Sequence, residues 1–335
     1  MNSTFKIKVS NPGVDIGGLE VQQDHGFHFT INDSQNQSCH VVGVFDGHGQ
    51  EGEQIVRASA QTMSEHIMKP GFYDILRESP QQVAETLFSK AQEHAFSIVL
   101  ERLDKCTYEC TYEIVNGRIQ MPYGGLLQGG TTATIIFAHQ DGTVITLSVG
   151  DSDAWLYTPD ATKISAEHTP LCEDEYNRIS AKHPETKFEY HKYYGMRPLC
   201  YCCNIYPHKK GGYYHKNVDG VFATSLMVEY GGVTHSLAMT RSIGDEMFKG
   251  HGVISTPSVS VHRVEGPCVI KVATDGYWDN IVTKNQSVKV ATAVKLHGYD
   301  ASKIMDDWFG EVESESRTNF GGSRDNMWGY VMTLN

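Results

Sequence analysis

The sequence predicts a layered α+β fold, and three features predict it. Short apolar runs rich in β-branched residues, at 27–31, 40–45, 131–138, 143–149 and 268–274, have the length and composition of strands. Helical periodicities gather in pairs instead of alternating one by one with those runs. Asp141-Gly142 separates TTATIIFA from TVITLSV in the manner of a two-residue turn joining an antiparallel hairpin. Antiparallel strands with helices set apart from them build layers, whereas repeated βαβ units would build a parallel sheet.

Each helix has its own signal. From Glu51 to Lys69, Ile55, Ala58, Thr62, Met63 and Ile67 fall on one face. Ser79, Pro80 and Gln82 mark the start of a second helix, which carries Val83, Leu87, Ala91, Ile98 and Val99. A later pair spans roughly 287–297 and 301–312, with Asp300 as cap of its second member. Residues 105–129 and 180–235, rich in Tyr, Gly, Lys, His and Cys, have no period and read as loops or a small flap. With no internal repeat and no linker composition, residues 1–335 read as one domain carrying an insert at about 180–235.

Composition narrows the function. At 40% apolar and 20% charged residues the chain is of ordinary globular type, which removes the disordered and collagenous classes. Forty Asp plus Glu against 28 Lys plus Arg give a net charge of −12, which argues against affinity for nucleic acid. No stretch is apolar enough for a bilayer span and MNSTFKIKVSNPG lacks the apolar core of a signal peptide, so no membrane partner and a cytoplasmic address are expected, a nuclear one staying open. Eight cysteines in 335 residues are too sparse for a disulfide scaffold and read as free thiols.

Four Asp-Gly pairs occur and divide in two. Asp141-Gly142 and Asp219-Gly220 read as hairpin turns. Asp46-Gly47 and Asp275-Gly276 end apolar strands with no returning strand near enough to pair, and Asp151 ends a third strand, TVITLSVG. Three strands thus deliver a carboxylate where the chain leaves the core. Gathered on one edge, such acids repel unless cations neutralise them, and oxygen ligands of this kind suit Mg²⁺ or Mn²⁺. The plainer reading, that each aspartate caps a helix or a turn, holds singly better than jointly.

HVVGVFDGHG (40–49), GGTTATIIF (129–137), LSVGDSDAWLY (147–157), AEHTP (166–170), LAMTRSIGD (237–245), IKVATDGYWDNI (270–281) and SRDNM (323–327) resemble, in order, the signature blocks of the metal-dependent type 2C protein serine/threonine phosphatases. The resemblance implies a four-layer α-β-β-α sandwich of two antiparallel sheets, with two Mg²⁺ or Mn²⁺ at one end. It assigns Asp46 as the carboxylate bridging both ions and the Gly47 carbonyl as a ligand of one. Asp275 and Asp325 would hold the other, and Asp24, in EVQQD, would contact metal-bound water. Asp151, with Asp275, would hold a third, weaker ion, and Asn326 would support the Asp325 turn.

Two such ions roughly 3.5–4 Å apart share a water, lower its pKa and present hydroxide to phosphorus, so no covalent phosphoenzyme is needed. His48, two residues from Asp46, is the candidate donor to the departing oxygen; its plainer role is to structure the Gly47–Gly49 turn. The substrates implied are phosphoserine and phosphothreonine of proteins, and a monomer is expected.

Departures are visible as well. Where relatives of the eukaryotic type usually carry a phosphate-binding Arg, this chain has Leu19, and Gln23 stands where many have Glu. Loss of a guanidinium weakens substrate capture, so the alternative is a weak or inactive relative serving as a binding or regulatory module. Arg241 is expected to pack internally with a carboxylate such as Asp245. Cys200, Cys202, Cys203, His208 and His215 fit no standard zinc spacing, and PHKKGGYYHK reads first as a solvated loop face. Tyr277 and Trp278 read as core under the site.

Overall fold

In the computed structural model, the described residues are 5–9, 23–104, 113–115, 118–120, 129–158, 160–194, 197–198, 221–230, 233–278, 286–320 and 325–335. Two five-stranded antiparallel sheets form its centre. The first has the order β1 (Ile7–Val9), β19 (Gly329–Leu334), β18 (Cys268–Ala273), β10 (Asp153–Thr158), β11 (Asp160–Lys163). The second runs β17 (Ser258–Arg263), β9 (Thr143–Val149), β8 (Ala133–His139), β3 (Ser38–Phe45), β2 (His25–Asn32).

The strands read as unbroken apolar runs because both their faces are covered. β8, β9, β18 and β19 are buried at every residue. Alternation reappears once partners are assigned. Val42, Val44, Ile136, Ile270, Val272 and Met332 fill the space between the sheets, while Val41, Phe45, Ile135 and Phe137 turn outward onto the helices. Those helices are α1 (Gly52–Ile67), α2 (Phe72–Glu78) and α3 (Pro80–Asp104). Opposite them, Val269 and Val331 pack against α7 (Gln286–His297) and α8 (Ala301–Phe320) through Val290, Ile304, Trp308 and Val312. The result is the four-layer α-β-β-α sandwich expected.

The local signals correspond to observed elements. Asp141-Gly142 turns β8 into β9, with Gly142 at φ +87°, a conformation that favours glycine. Asp300 caps α8, its Oδ1 accepting from Lys303 N at 3.3 Å. Tyr277 and Trp278, in the short α6 (Asp275–Trp278), pack against Trp308 as core.

Two expectations are corrected. The chain after Asp46 does find a partner: β4 (Gly47–Gly49) pairs with β7 (Gly129–Thr131), which pairs with β16 (Ile243–Gly244) in a three-stranded sheet. The segment after α4 (Glu173–Lys182) is not simply loop, because β12 (Lys187–Tyr194), β14 (Val221–Tyr230) and β15 (Val233–Leu237) form an antiparallel sheet with β13 (Arg197–Pro198) at its edge. Its core of Leu171, Ile179, Phe188, Leu226, Val228 and Leu237 was hidden among tyrosines and lysines. A two-stranded pair, β5 (Glu113–Val115) and β6 (Arg118–Gln120), lies in the other irregular region, and the remaining helix is α5 (Glu246–Lys249). Leu19, Asp219-Gly220, the Cys200–Cys203 cluster and the whole of PHKKGGYYHK, with His208 and His215, lie outside the described residues. Cys39, Cys172 and Cys268 are free thiols. Among the described residues no helix is long and apolar enough to cross a membrane.

Candidate metal centre

Strand register gathers the acids. His25 pairs with Phe45, so Asp24 and Asp46 flank the same end of the β2–β3 ladder. Ala273 pairs with both Asp153 and Gly329, so Asp275 leaves β18 between the chain entering β10 and the chain entering β19. Asp151 follows β9, and Asp325 precedes β19. Both sheets therefore contribute carboxylates to one end of the sandwich.

The backbone beneath them is pinned. Thr132 Oγ1 accepts from Asp46 N at 3.1 Å and meets Ser152 Oγ at 2.6 Å, which links the ends of β3 and β9. Thr274 N donates to Trp328 O and Thr274 Oγ1 accepts from Trp328 N, both at 2.9 Å, which fixes the Asp275 turn to the Asp325 turn. Asn326 supports that turn through its main chain, its N–H donating to Asp325 Oδ1 at 2.8 Å. A Cβ at Gly276 would strike Asn326 O, and one at Gly47 would lie 2.5 Å from Gln23 O and 2.6 Å from Val56 Cγ2. Both glycines are there for close approach.

The crowding has an electrostatic signature. Burial, then Asp275 and Asp325, hold the Asp24 carboxyl well above the usual carboxylate range, against a hydrogen bond from Thr274. Burial, then Asp24, Asp325 and Asp151, do the same to Asp46. Asp325, the exposed member, is raised less strongly, by partial desolvation against the Asn326 N–H bond. Asp24 and Asp46 lie within hydrogen-bonding reach of each other, as do Asp46 and Asp275. Among the described residues no three His, Cys, Asp or Glu side chains are already spaced as a metal cage.

The donor set fits hard divalent cations. Acidic oxygens forced together lose their mutual repulsion when a cation enters, and buried Asp24 Oδ2 has no hydrogen-bond partner to lose. Asp24, Asp46, Asp275 and Asp325 form the cluster, with Asp151 acting on Asp46 from its rim.

His48 is tied elsewhere. Its Nε2 lies 2.8 Å from Asp245 Oδ2 and 3.0 Å from Oδ1, while Nδ1 is buried with no hydrogen-bond partner. Burial lowers the imidazole pKa, but Asp245 overcomes it and the net shift is upward. Asp245 is therefore not the partner of Arg241. Arg241 instead binds Glu175, with Nη2 at 2.6 Å and Nε at 3.0 Å from Oε1, because α4 carries that carboxylate beneath the 240–242 chain. Arg178 completes the cluster at 2.7 Å from Glu175 Oε2.

Two functional contacts were not foreseen. The Asp245 partnership with His48 spans 197 residues, and no spacing rule reaches so far. Gln23 donates from Nε2 to Gly49 O at 2.7 Å, holding the loop that carries His48. A glutamate, which only accepts when ionised, could not make that bond.

A two-sheet sandwich with an aspartate cluster at one end is the arrangement that the resemblance to metal-dependent phosphatases implies. The family model for Protein phosphatase 2C matches residues 19–190 and 220–308, which contain every acid of the cluster except Asp325. The chain belongs to the protein phosphatase 2C family, serine/threonine phosphatases that depend on Mg²⁺ or Mn²⁺. It is 23% identical over 277 residues to "Probable protein phosphatase 2C 72" of Arabidopsis thaliana, covering 78% of this chain and 67% of that one. It is 27% identical over 250 residues to "Probable protein phosphatase 2C 35" of the same plant, covering 73% and 61%. Among solved structures, the serine-threonine phosphatase 2C from Toxoplasma gondii superposes with a TM-score of 0.61 at 17% identity, over 100% of this chain and 96% of that one.

Proposed function

We propose that this chain is an active phosphatase that removes phosphate from phosphoserine and phosphothreonine of proteins. The observation that carries the reading is the convergence of Asp24, Asp46 and Asp275 to hydrogen-bonding range at one end of the sandwich. A scaffold gains nothing from such repulsion, whereas a cation site requires it. Asp46 and the Gly47 carbonyl, Asp275 and Asp325 would hold two Mg²⁺ or Mn²⁺, with Asp24 alongside and Asp151 offering a weaker third position. When bound, these ions supply an activated water and neutralise phosphoryl charge.

The chain's own groups supply the rest. Asp245 fixes the imidazole of His48 through Nε2, which leaves Nδ1 as the nitrogen that can hold a transferable proton. His48 protonates the departing Ser or Thr oxygen, the step an alkoxide leaving group most needs.

The test is phosphate release from a phosphothreonine peptide with and without Mn²⁺, alongside Asp46→Ala and Asp275→Ala. Metal-dependent turnover lost in both variants supports the reading. Folded wild-type protein without turnover supports the second one, a non-catalytic binding module, which Leu19 at the phosphate-binding Arg position favours.

A further inference from the structure

Away from the acid cluster, the outer face of the first sheet holds a lysine where an apolar residue belongs. Lys271 lies on the central strand β18, between Val269 and Ala273, whose side chains pack into the layer shared with α7 and α8. It is 3% exposed. Its Nζ donates to Gln286 Oε1 at 3.1 Å and sits 4.6 Å from the centre of the Trp308 ring. Among the described residues Lys271 forms no ion pair. The nearby carboxylate of Glu311 is taken by Lys289 and by Gln286 Nε2.

Lys271 lines a cleft of about 250 Å³ between α7 and α8, with Val288, Lys289, Thr292, Asp307, Trp308 and Glu311 around it. The cleft has room for a small acyl group. Among the described residues the charged groups facing Nζ are Lys289 from α7 and Asp307 and Glu311 from α8, while Tyr157 on β10 lies 5.9 Å away and is kept neutral by burial. Burial dominates, pushing the ammonium down to about 7 against the pull of Glu311.

We propose that Lys271 is a site of covalent acylation by small acyl thioesters that enter the α7–α8 cleft. The Nζ lone pair attacks the thioester carbonyl carbon. A C–N bond forms, the C–S bond breaks, and the thiolate leaves and takes up the proton that Nζ releases. The product suits its surroundings better than the reactant: an ammonium with one neutral acceptor becomes a neutral amide, whose remaining N–H can still donate to Gln286 Oε1.

The experiment exposes the full chain to N,S-diacetylcysteamine and follows each lysine by peptide mass spectrometry over a pH series. An amine with a pKa near 7 is mostly neutral at pH 7.4, whereas an ordinary lysine is neutral to roughly one part in a thousand. Lys271 is expected to acylate at least about tenfold faster than exposed Lys187 and Lys90, and its rate should level off above about pH 8. A rate no greater than theirs overturns the proposal. So does a rate that keeps climbing tenfold per pH unit to pH 10, because that is the behaviour of an ordinary ammonium reached through local opening.

Discussion

Asp245 holds His48 from the far side of the imidazole, with Oδ2 2.8 Å from Nε2 across 197 residues of sequence. Asp245 adopts a left-handed backbone at φ 51°, and its N–H is tethered to Gly129 O at 2.8 Å. Gly130 makes the room, since a side chain there would strike the same carboxylate. Aspartate tolerates that conformation better than most residues.

Asp245→Asn keeps the shape of the pair and removes its charge. Turnover of phosphothreonine peptide should fall by about 10²-fold, within the range of general acid catalysis, and aryl phosphate hydrolysis should fall much less. Equal losses on both substrates would make the pair a structural strut.

The acid cluster predicts opposite effects on activity and stability. Asp275→Ala should reduce turnover by more than the roughly 10–100-fold typical of groups one layer removed from a metal. In chelator the same variant should melt no lower than wild type, because one repelling carboxylate has gone. Mn²⁺ at about a hundred times its Kd should stabilise wild type by about 2.7 kcal/mol. Thermal unfolding with and without the ion checks both points, and an equal Mn²⁺ shift in Asp46→Ala would sink the site.

Glu175 joins α4 to the 240–242 chain through Arg241 and Arg178. Burial raises its pKa, but the two guanidinium groups overcome this and hold it down at about 2. Because the folded value is depressed, its contribution is present above the unfolded value of about 4.3 and disappears as pH falls toward 2. Glu175→Gln should cost about 3–5 kcal/mol at pH 7, since it leaves two partly buried cations uncompensated. Urea unfolding at pH 7 and pH 3 should show that difference shrinking on acidification.

Lys271 has the reverse sign. Its folded pKa of about 7 lies below the unfolded value, so between about 7 and 10.4 the unfolded chain binds more protons and stability from this group rises with pH. Lys271→Met keeps the apolar stem and should stabilise by on the order of 1–3 kcal/mol at pH 6.5. At pH 9.5 the gain should be smaller. A gain that does not change with pH would mean the amine carries its charge throughout.

Local residue chemistry made much of the fold legible. β-branched runs marked the strands, Pro80 and Asp300 marked helix starts, and Asp141-Gly142 marked a hairpin, since each acts through neighbours a few residues away. The flap sheet was missed because Phe188, Leu226 and Leu237 are spread among tyrosines, lysines and histidines, so alternation over a short window was too weak to see. Of the candidate site, Asp46, Asp151 and Asp275 could be named from their places at strand ends, while Asp24 and Asp325 were named only through the family resemblance. Their joint crowding, and the roles of Asp245 and Gln23, could not.

The sequence by itself determined many of the strands, helices and turns outside the flap, and that acids stand where three strands leave the core. Only the tertiary structure decided that Asp24 meets Asp46, that Arg241 takes Glu175 and leaves Asp245 to His48, and that Lys271 is buried with a neutral partner. The physical reason is range. Propensity and turn chemistry act along a few bonds, whereas carboxylate repulsion, ion pairing and desolvation depend on distances set only when register joins strands far apart in the chain.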